Sequence, residues 1–395
     1  MRRGTVRVAA EVAWHVRSGH PWIFRDALAG RSVGSVGEVV EIVDQSGAFV
    51  ARGLFEPAGP VAIRIIGRDP AVRFDEGAIR ARIEAARRLR ERLLSPVHTA
   101  VRVLHGDGDE LPGVSVDRYG EHLVLQLYSA AAEPHLPAIL DGLEAVWQPR
   151  SIYLQQRLRP QTGEGPRAPA ELVRGTVAPV EIEVREGDLT FAVDVTAPLG
   201  TGLFLDLRDG REAVRELSRG RRVLNLYSYT GAFSVHAARG GAREVVSVDL
   251  ATKAHGRARH NLQLYEMAET GMEFITGDAQ SVLTRMQERK RQFDLVVIDP
   301  PSFSQGKDRV FVASKDYREL VTAVLGVTAP GGLLACASNT ARLPLDDFDK
   351  ILGSGAHAAG RRLTCLKRVG LPPDFPVPCG FTEGHYLKFE IAAAD

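Results

Sequence analysis

The sequence predicts an α/β protein: a doubly wound, mostly parallel sheet in its C-terminal half, preceded by a compact β-rich domain and an α+β middle domain. Three observations carry this expectation. From about Arg222 onward, apolar runs of strand length alternate with amphipathic helical stretches, as a parallel sheet covered on both faces requires. Between Val6 and Arg68, short apolar runs are broken by turn residues, the pattern of packed strands. Between these regions a strongly periodic helix is followed by further strand-like runs. At 395 residues the chain exceeds the length at which one core usually stops growing. The expected domains are 1–72, 73–186 and 187–395.

Composition narrows the class. With 44% hydrophobic and 25% charged residues the chain is of ordinary globular type, and 50 Lys plus Arg against 49 Asp plus Glu announce no polyanionic partner. The three cysteines, Cys336, Cys365 and Cys379, lack paired spacing, so neither a disulfide framework nor a cysteine metal site is expected, and a reducing, cytoplasmic setting is. No run of about 18 apolar residues occurs and the N-terminus has no apolar signal core, so neither membrane insertion nor export is expected.

In the first domain the strand-like runs are Gly37–Val43, Ala48–Gly53 and Val61–Ile66. Arg7, His15, Arg17, His20, Arg25 and Arg31 are opposed there only by Glu11 and Asp26, and Trp14, Trp22 and Phe24 are interleaved. Basic groups beside aromatics can hold phosphates and stack on bases. Aromatics in the core with solvated arginines read equally well.

In the middle domain Ile79, Ile83, Ala86, Leu89 and Leu93 recur at helical spacing over roughly Asp75–Leu94. Strands are expected at 113–117, 122–128 and 151–155, a helix near 134–146, and an exposed loop from Arg157 to Arg174. The stretch Gly106-Asp107-Gly108-Asp109-Glu110 lacks the spaced ligands of a calcium loop and reads as a turn.

In the last domain the expected strands are 223–227, 244–249, 273–276, 294–299 and 332–337. Such sheets bind ligands outside the carboxyl ends of their strands, so the residues following each strand carry the chemistry. After the first come Tyr227, Ser228, Tyr229, Thr230 and Gly231, where a glycine admits close backbone approach at a helix start. The second ends in Asp249, placed to accept from ribose hydroxyls. After the third stands Asp278, able to accept from an adenine amino group or to cap the next helix. After the fourth, Asp299-Pro300-Pro301-Ser302-Phe303 combines an acid for an amino or imino group, a stiff corner and an aromatic face for a flipped base. A nicotinamide enzyme would want G-x-G-x-x-G to admit a pyrophosphate; a sulfonium nucleoside has none, and one glycine suffices.

These motifs resemble those of the class I S-adenosylmethionine-dependent ribosomal RNA large-subunit methyltransferases, whose best-known members make 5-methylcytosine in 23S rRNA. His20-Pro21-Trp22-Ile23-Phe24 and Ala51-Arg52-Gly53 look like that family's RNA-binding PUA domain. Asp107–Gly113 with Asp117-Arg118-Tyr119-Gly120 is similar to its middle-domain signature, and Glu383–Lys388 resembles its C-terminal strand. The resemblance implies a seven-stranded Rossmann-type sheet and S-adenosyl-L-methionine as cofactor. Its cofactor would be bound by Phe204, Asp206, Arg208, Tyr227–Gly231, Asp249, Asp278 and Asp299. It also implies ribosomal RNA as substrate, with His20, Trp22 and Arg52 in the RNA-binding domain, and leaves a homodimer open. By position Arg17 is a further candidate RNA contact, and Lys307, Arg309 and Lys315, after the diproline, read equally as phosphate contacts or as solvated surface charge.

Two departures stand out. Leu207 occupies a position usually held by Gln on the cofactor side. After the fifth strand the cytosine enzymes carry a Ser-Cys-Ser-like motif, whereas this chain reads Ser338-Asn339-Thr340. A thiolate adding at carbon 6 is what activates cytosine carbon 5, and Asn339 cannot serve. Cys336, inside an apolar run, reads as a structural thiol. The expected catalytic group is therefore Asp299, Pro300, Pro301, Phe303 and Asn339, acting on cytosine carbon 5 or on a base nitrogen. The alternatives are an RNA- and cofactor-binding protein without catalysis, and an NAD-dependent oxidoreductase.

Overall fold

The computed structural model describes residues 4–28, 34–158, 168–198, 200–265, 271–301 and 313–395. The chain forms two compact units, the first comprising Met1–Gly187, Val193–Thr201 and Pro373–Gly384, the second Asp188–Ala192, Gly202–Pro372 and His385–Asp395.

The first unit opens with β1 (Thr5–Arg7), α1 (Ala10–Arg17), β2 (Trp22–Phe24), β3 (Val39–Val43), β4 (Phe49–Phe55) and β5 (Val61–Gly67), in sheet order β1-β3-β4-β5-β2. Ile42, Ala51, Phe55 and Ile63 fill its core with Ala13 and Val16 of α1. Then come α2 (Glu76–Leu93), β6 (Ala100–His105), β7 (Val114–Tyr119), β8 (His122–Leu127), α3 (Leu136–Trp147), β9 (Ser151–Gln156) and β10 (Glu171–Gly175), in sheet order β10-β9-β8-β7-β6. Asp75 caps α2 by accepting from the Ala78 amide at 3.0 Å. The α2 stripe Ile79, Ile83 and Ala86 lies in one core with Ile139 and Leu143 of α3 and Val103, Val116 and Leu125 of the sheet. Within this second sheet the described pairs are antiparallel except β8 with β9, which run parallel because α3 provides the crossover between them.

One reading changes here. The stretch expected as a loop through Arg174 includes β10, paired antiparallel with β9. As a short edge strand without a fully buried residue it needs no apolar alternation, which removes the periodic signal. The Gly106–Asp109 turn is present as one 3₁₀ turn, but its acids are structural partners. Asp109 takes a bidentate bond from Arg90 at 2.5 and 2.7 Å, and Asp107 accepts from Trp22 Nε1 at 3.0 Å. Among the described residues no group of acids, histidines or cysteines could hold a metal ion. Arg90 also donates to the Asp374 carbonyl at 2.8 Å, and the Asp374 carboxylate accepts from the Arg102 amide at 2.9 Å, so residues 373–384 are stitched to α2 and β6.

Following β11 (Ile182–Glu186) and β12 (Leu189–Val193), the second unit is built on β13 (Arg222–Leu226), β14 (Glu244–Asp249), β15 (Met272–Thr276), β16 (Phe293–Ile298), β17 (Thr328–Ser338), β18 (Leu363–Val369) and β19 (Lys388–Ala394). Their order is β15-β14-β13-β16-β17-β19-β18. The five strands β13–β17 run parallel, and β19 is antiparallel to both its neighbours. The helices are α4 (Arg208–Glu216), α5 (Ala232–Arg239), α6 (Thr252–Gln263), α7 (Ala279–Glu288), α8 (Ala313–Leu325) and α9 (Leu345–Ala358). Leu224, Val246, Val296 and Ile298 pack with Val282, Tyr317, Val321 and Phe348 of α7, α8 and α9. Val223, Val245, Leu295 and Val297 pack on the opposite face with Val214, Phe233 and Ala237 of α4 and α5. Burial on both faces makes these strands continuous apolar runs. β17 starts at Thr328, earlier than the expected 332, across the Pro330-Gly331-Gly332 irregularity where its register with β16 shifts.

Because Arg90 and Asp109 are each about 3% exposed, removing one strands the other's charge. Asp109→Ala should cost about 3–5 kcal/mol in denaturant unfolding. The double variant Arg90→Leu/Asp109→Leu should recover most of that loss; equal destabilisation by both variants would contradict the ion-pair account.

Candidate active site

Register brings the strand ends level. Leu226 stands opposite Val248 and Ile298, Val248 opposite Ile275, and Ile298 opposite Cys336. The residues that follow, Tyr227, Asp249, Gly277-Asp278, Asp299 and Ser338-Asn339, therefore occupy one rim of the sheet.

The turn after β13 is held in an uncommon conformation. Tyr227, Tyr229 and Gly231 have φ of +58°, +49° and +77°, and two left-handed tyrosines store strain that the surroundings must hold. The Ser228 amide donates to the Val248 carbonyl at 2.9 Å and the Tyr229 amide to Asp249 Oδ2 at 2.8 Å. Thr230 Oγ1 donates to the Gly202 carbonyl at 2.5 Å, and Asn261 of α6 donates to the Thr230 carbonyl at 3.0 Å. A Cβ on Gly231 would lie 2.7 Å from Ala258 Cβ. Glycine is thus required by both φ and the packing of α6, a reason not visible in the motif.

Asp249 accepts from Tyr229 and, through Oδ1, from the Ala251 amide at 2.9 Å. It is half-buried and retains lone pairs for ribose hydroxyls. Asp278 is exposed and caps α7, accepting from the Ser281 amide at 2.9 Å. Asp299 is half-buried; burial and the nearby Asp206 carboxylate raise its carboxyl to about 7, against the lowering effect of Arg211. Tyr386 donates to Asp206 at 3.0 Å, and buried Arg211 donates to the Phe204 carbonyl at 2.8 Å. Phe204 is exposed, its ring 5.4 Å from that of Tyr229, while Arg208 is buried. Pro300 is buried and Pro301 exposed. Leu207, the first departure, packs in the core with Val214 and Phe389.

At the end of β17 Asn339 is exposed, and the residue after it is held from β19. Buried Lys388 donates to the carbonyls of Thr340 and Tyr386, and burial lowers its ammonium to about 8. Cys336 is fully buried among α8 and α9 residues, and burial pushes its thiol far up, as befits a structural role. Lys388, Tyr386, Asp206 and Arg211 form a supporting set of which the motif reading named only Asp206 for the site. For Lys388, a charge at the head of a mostly apolar strand was the available signal; Arg211, in a polar helix, offered none.

The residues expected to touch RNA are divided. Phe303, Lys307 and Arg309 lie outside the described residues, as does the Lys315 side chain. Arg17 pairs with Asp44 at 2.8 Å, and Arg52 donates to the Val72 carbonyl at 3.0 Å. His20 lies between Trp22 and Glu383, with Nε2 3.4 Å from Glu383 Oε1. These side chains are engaged within their own unit.

A carboxylate at the second strand end, a tight one-glycine turn and a buried Ser228 hydroxyl without a partner among the described residues fit a nucleoside cofactor without pyrophosphate. The fold and rim define an α/β enzyme that binds such a cofactor. The family model of S-adenosylmethionine-dependent methyltransferases matches residues 136–382, and that of PUA-like domains matches 6–68. The ribosomal RNA large subunit methyltransferase I of Escherichia coli O139:H28 is 33% identical over 371 residues, covering 93% of this chain and 94% of its own. Among solved structures, SMU.776 complexed with SAH superposes with TM-score 0.90 at 24% identity, covering 98% of this chain and 99% of that one. The S-adenosylmethionine-dependent methyltransferase of Agrobacterium tumefaciens gives 0.56 at 19% identity, covering 76% and 91%. The chain belongs to the S-adenosylmethionine-dependent methyltransferase family, among the relatives of ribosomal RNA large subunit methyltransferase I. Its cofactor supplies an electrophilic methyl group on a sulfonium, and this chain is a methyltransferase rather than an oxidoreductase. No described helix is long and apolar enough to cross a membrane.

Asp249→Asn should weaken S-adenosylhomocysteine binding about ten- to a hundredfold by calorimetry, the worth of a hydrogen bond to a charged acceptor. A raised folded pKa means that the folded state holds a proton which the unfolded state has released. Asp299 therefore costs stability as pH rises from about 4 through 7. The melting temperature of Asp299→Asn should gain on the parent between pH 5 and 8; a constant gap would refute the assignment.

Proposed function

We propose that this enzyme transfers the methyl group of S-adenosylmethionine to a base of large-subunit ribosomal RNA in the cytoplasm. The relatedness to large-subunit enzymes supports the substrate, and the PUA-like domain supports an RNA partner. The carrying observation is the placement of Asp299-Pro300-Pro301 at the end of β16, beside the Ser338-Asn339 end of β17. In this reading Asp249, Asp278, Gly231 and the turn Tyr227–Thr230 hold the cofactor, with Phe204, Asp206 and Arg208 along its side. Asp299, the proline corner, Phe303 and Asn339 hold the base.

The acceptor atom we assign is a ring or exocyclic nitrogen. Cytosine carbon 5 needs a thiolate at carbon 6, and Cys336 is sealed inside the core with its thiol held protonated. Nitrogen needs only alignment and a group to accept its proton; a carboxyl near 7 is suited to that.

Nucleoside mass spectrometry of ribosomal RNA from a deletion strain should show loss of one N-methylated base, restored in vitro by the purified protein with labelled cofactor. Asp299→Ala should lower the rate at least a hundredfold, far more than it weakens cofactor binding. A missing 5-methylcytosine whose restoration depends on Cys336 would overturn the nitrogen assignment. Unchanged RNA in the deletion strain would overturn the substrate.

A further inference from the structure

The first unit contains a cavity of about 300 Å³ that the methyl-transfer chemistry does not use, its lining including Trp22, Arg64, His105, Asp107, Ser115 and Phe381. Asp107 is its key residue. One carboxylate oxygen accepts from Trp22 Nε1 at 3.0 Å; the other, Oδ1, is buried with no hydrogen-bond partner among the described residues. An unsatisfied buried acceptor is costly and is the kind of exception that marks a binding site.

The other walls are built for a flat ring. Trp22 is pinned, with the Arg64 guanidinium 5.4 Å from its ring centre and Phe381 packed against it at 4.6 Å and 70°. His105 is kept neutral by burial and by the cations Arg102 and Arg90. Its Nδ1 lies 3.1 Å from Arg102 Nη1, which can only donate, so the ring proton sits on Nε2 as a donor. Tyr128, exposed and also lining the cavity, adds another aromatic surface. The cavity thus offers aromatic walls, one acceptor lacking a donor and a neutral donor. That set suits a nucleobase, which carries N–H donors and ring acceptors on one edge; a free anion would meet the Asp107 carboxylate.

We propose that this cavity receives one unpaired nucleobase of the RNA substrate, other than the base that is methylated, with Asp107 accepting from its amino or imino hydrogen. The proposal rests on the RNA-methylating reading and adds a second point of recognition to it.

The test uses the full chain and RNA hairpins bearing a single bulged A, C, G or U, their fully paired counterpart, and the four nucleoside monophosphates. The bulged hairpins should bind at least tenfold tighter than the paired one, with a preference among the four bases. Asp107→Asn should abolish both the advantage and the preference while leaving S-adenosylhomocysteine affinity unchanged. Comparing bulged with paired RNA cancels the general effect of removing a negative charge. Tyr128→Ala, at an exposed position, should lower the advantage at least threefold and covers the case in which Asp107→Asn fails to fold. Equal binding of bulged and paired RNA, or an advantage that survives in both variants, overturns the proposal while leaving the methylation reading standing. Monophosphates binding as tightly as the bulged hairpins would make a free nucleotide the occupant and overturn RNA as the source. Failure of the parent protein to bind or methylate any RNA would instead overturn the RNA reading itself.

Discussion

The site depends on one constraint: five strands of the second unit share a direction and a register. Each βα turn then leaves the sheet at the same rim, and the residue after each strand becomes a neighbour of the residue after the next. No single motif has to carry the chemistry. Alternating apolar faces fix the register, since a slip of one residue would turn each buried set toward the wrong helix layer. The left-handed turn at Tyr227 and Tyr229 can be strained because Asp249, Val248, Gly202 and Asn261 all hold it.

Electrostatics follow from that geometry. Asp206 and Asp299 come close enough for each charge to oppose the other, and Asp249 and Asp278 stand along the same rim. In the proposed reading, that acidic rim suits a cationic ligand headed by a sulfonium. On the other side of β17, Lys388 performs mechanical work, tying the carbonyl after Asn339 to the carbonyl of Tyr386. The same strand thus supports the proposed base-holding residue and, through Tyr386, the neighbouring Asp206.

Much of this was legible in the residues, for identifiable reasons. β14 was readable because both of its faces are apolar and an acid ends it; β10 was not, because an exposed edge strand carries no periodicity. Gly231 was singled out as a place where backbone could approach a ligand, whereas the contact that demands a glycine, with Ala258, arises only once α6 packs on the turn. The Asp107–Asp109 stretch read as a turn and is one. Its partners Trp22 and Arg90 lie 85 and 19 residues away, beyond any local pattern. Arg17 stood out by composition and Arg52 by resemblance, yet the structure gives them Asp44 and the Val72 carbonyl as partners, which neither signal can reveal.

The most direct test of the shared rim is a crystal structure of this chain with S-adenosylhomocysteine bound. The account predicts the ligand across the carboxyl ends of β13 and β14, with both ribose hydroxyls within hydrogen-bond distance of the Asp249 carboxylate and the homocysteine sulfur turned toward Asp299. Ligand bound away from that rim, or a ribose facing away from Asp249, would contradict it.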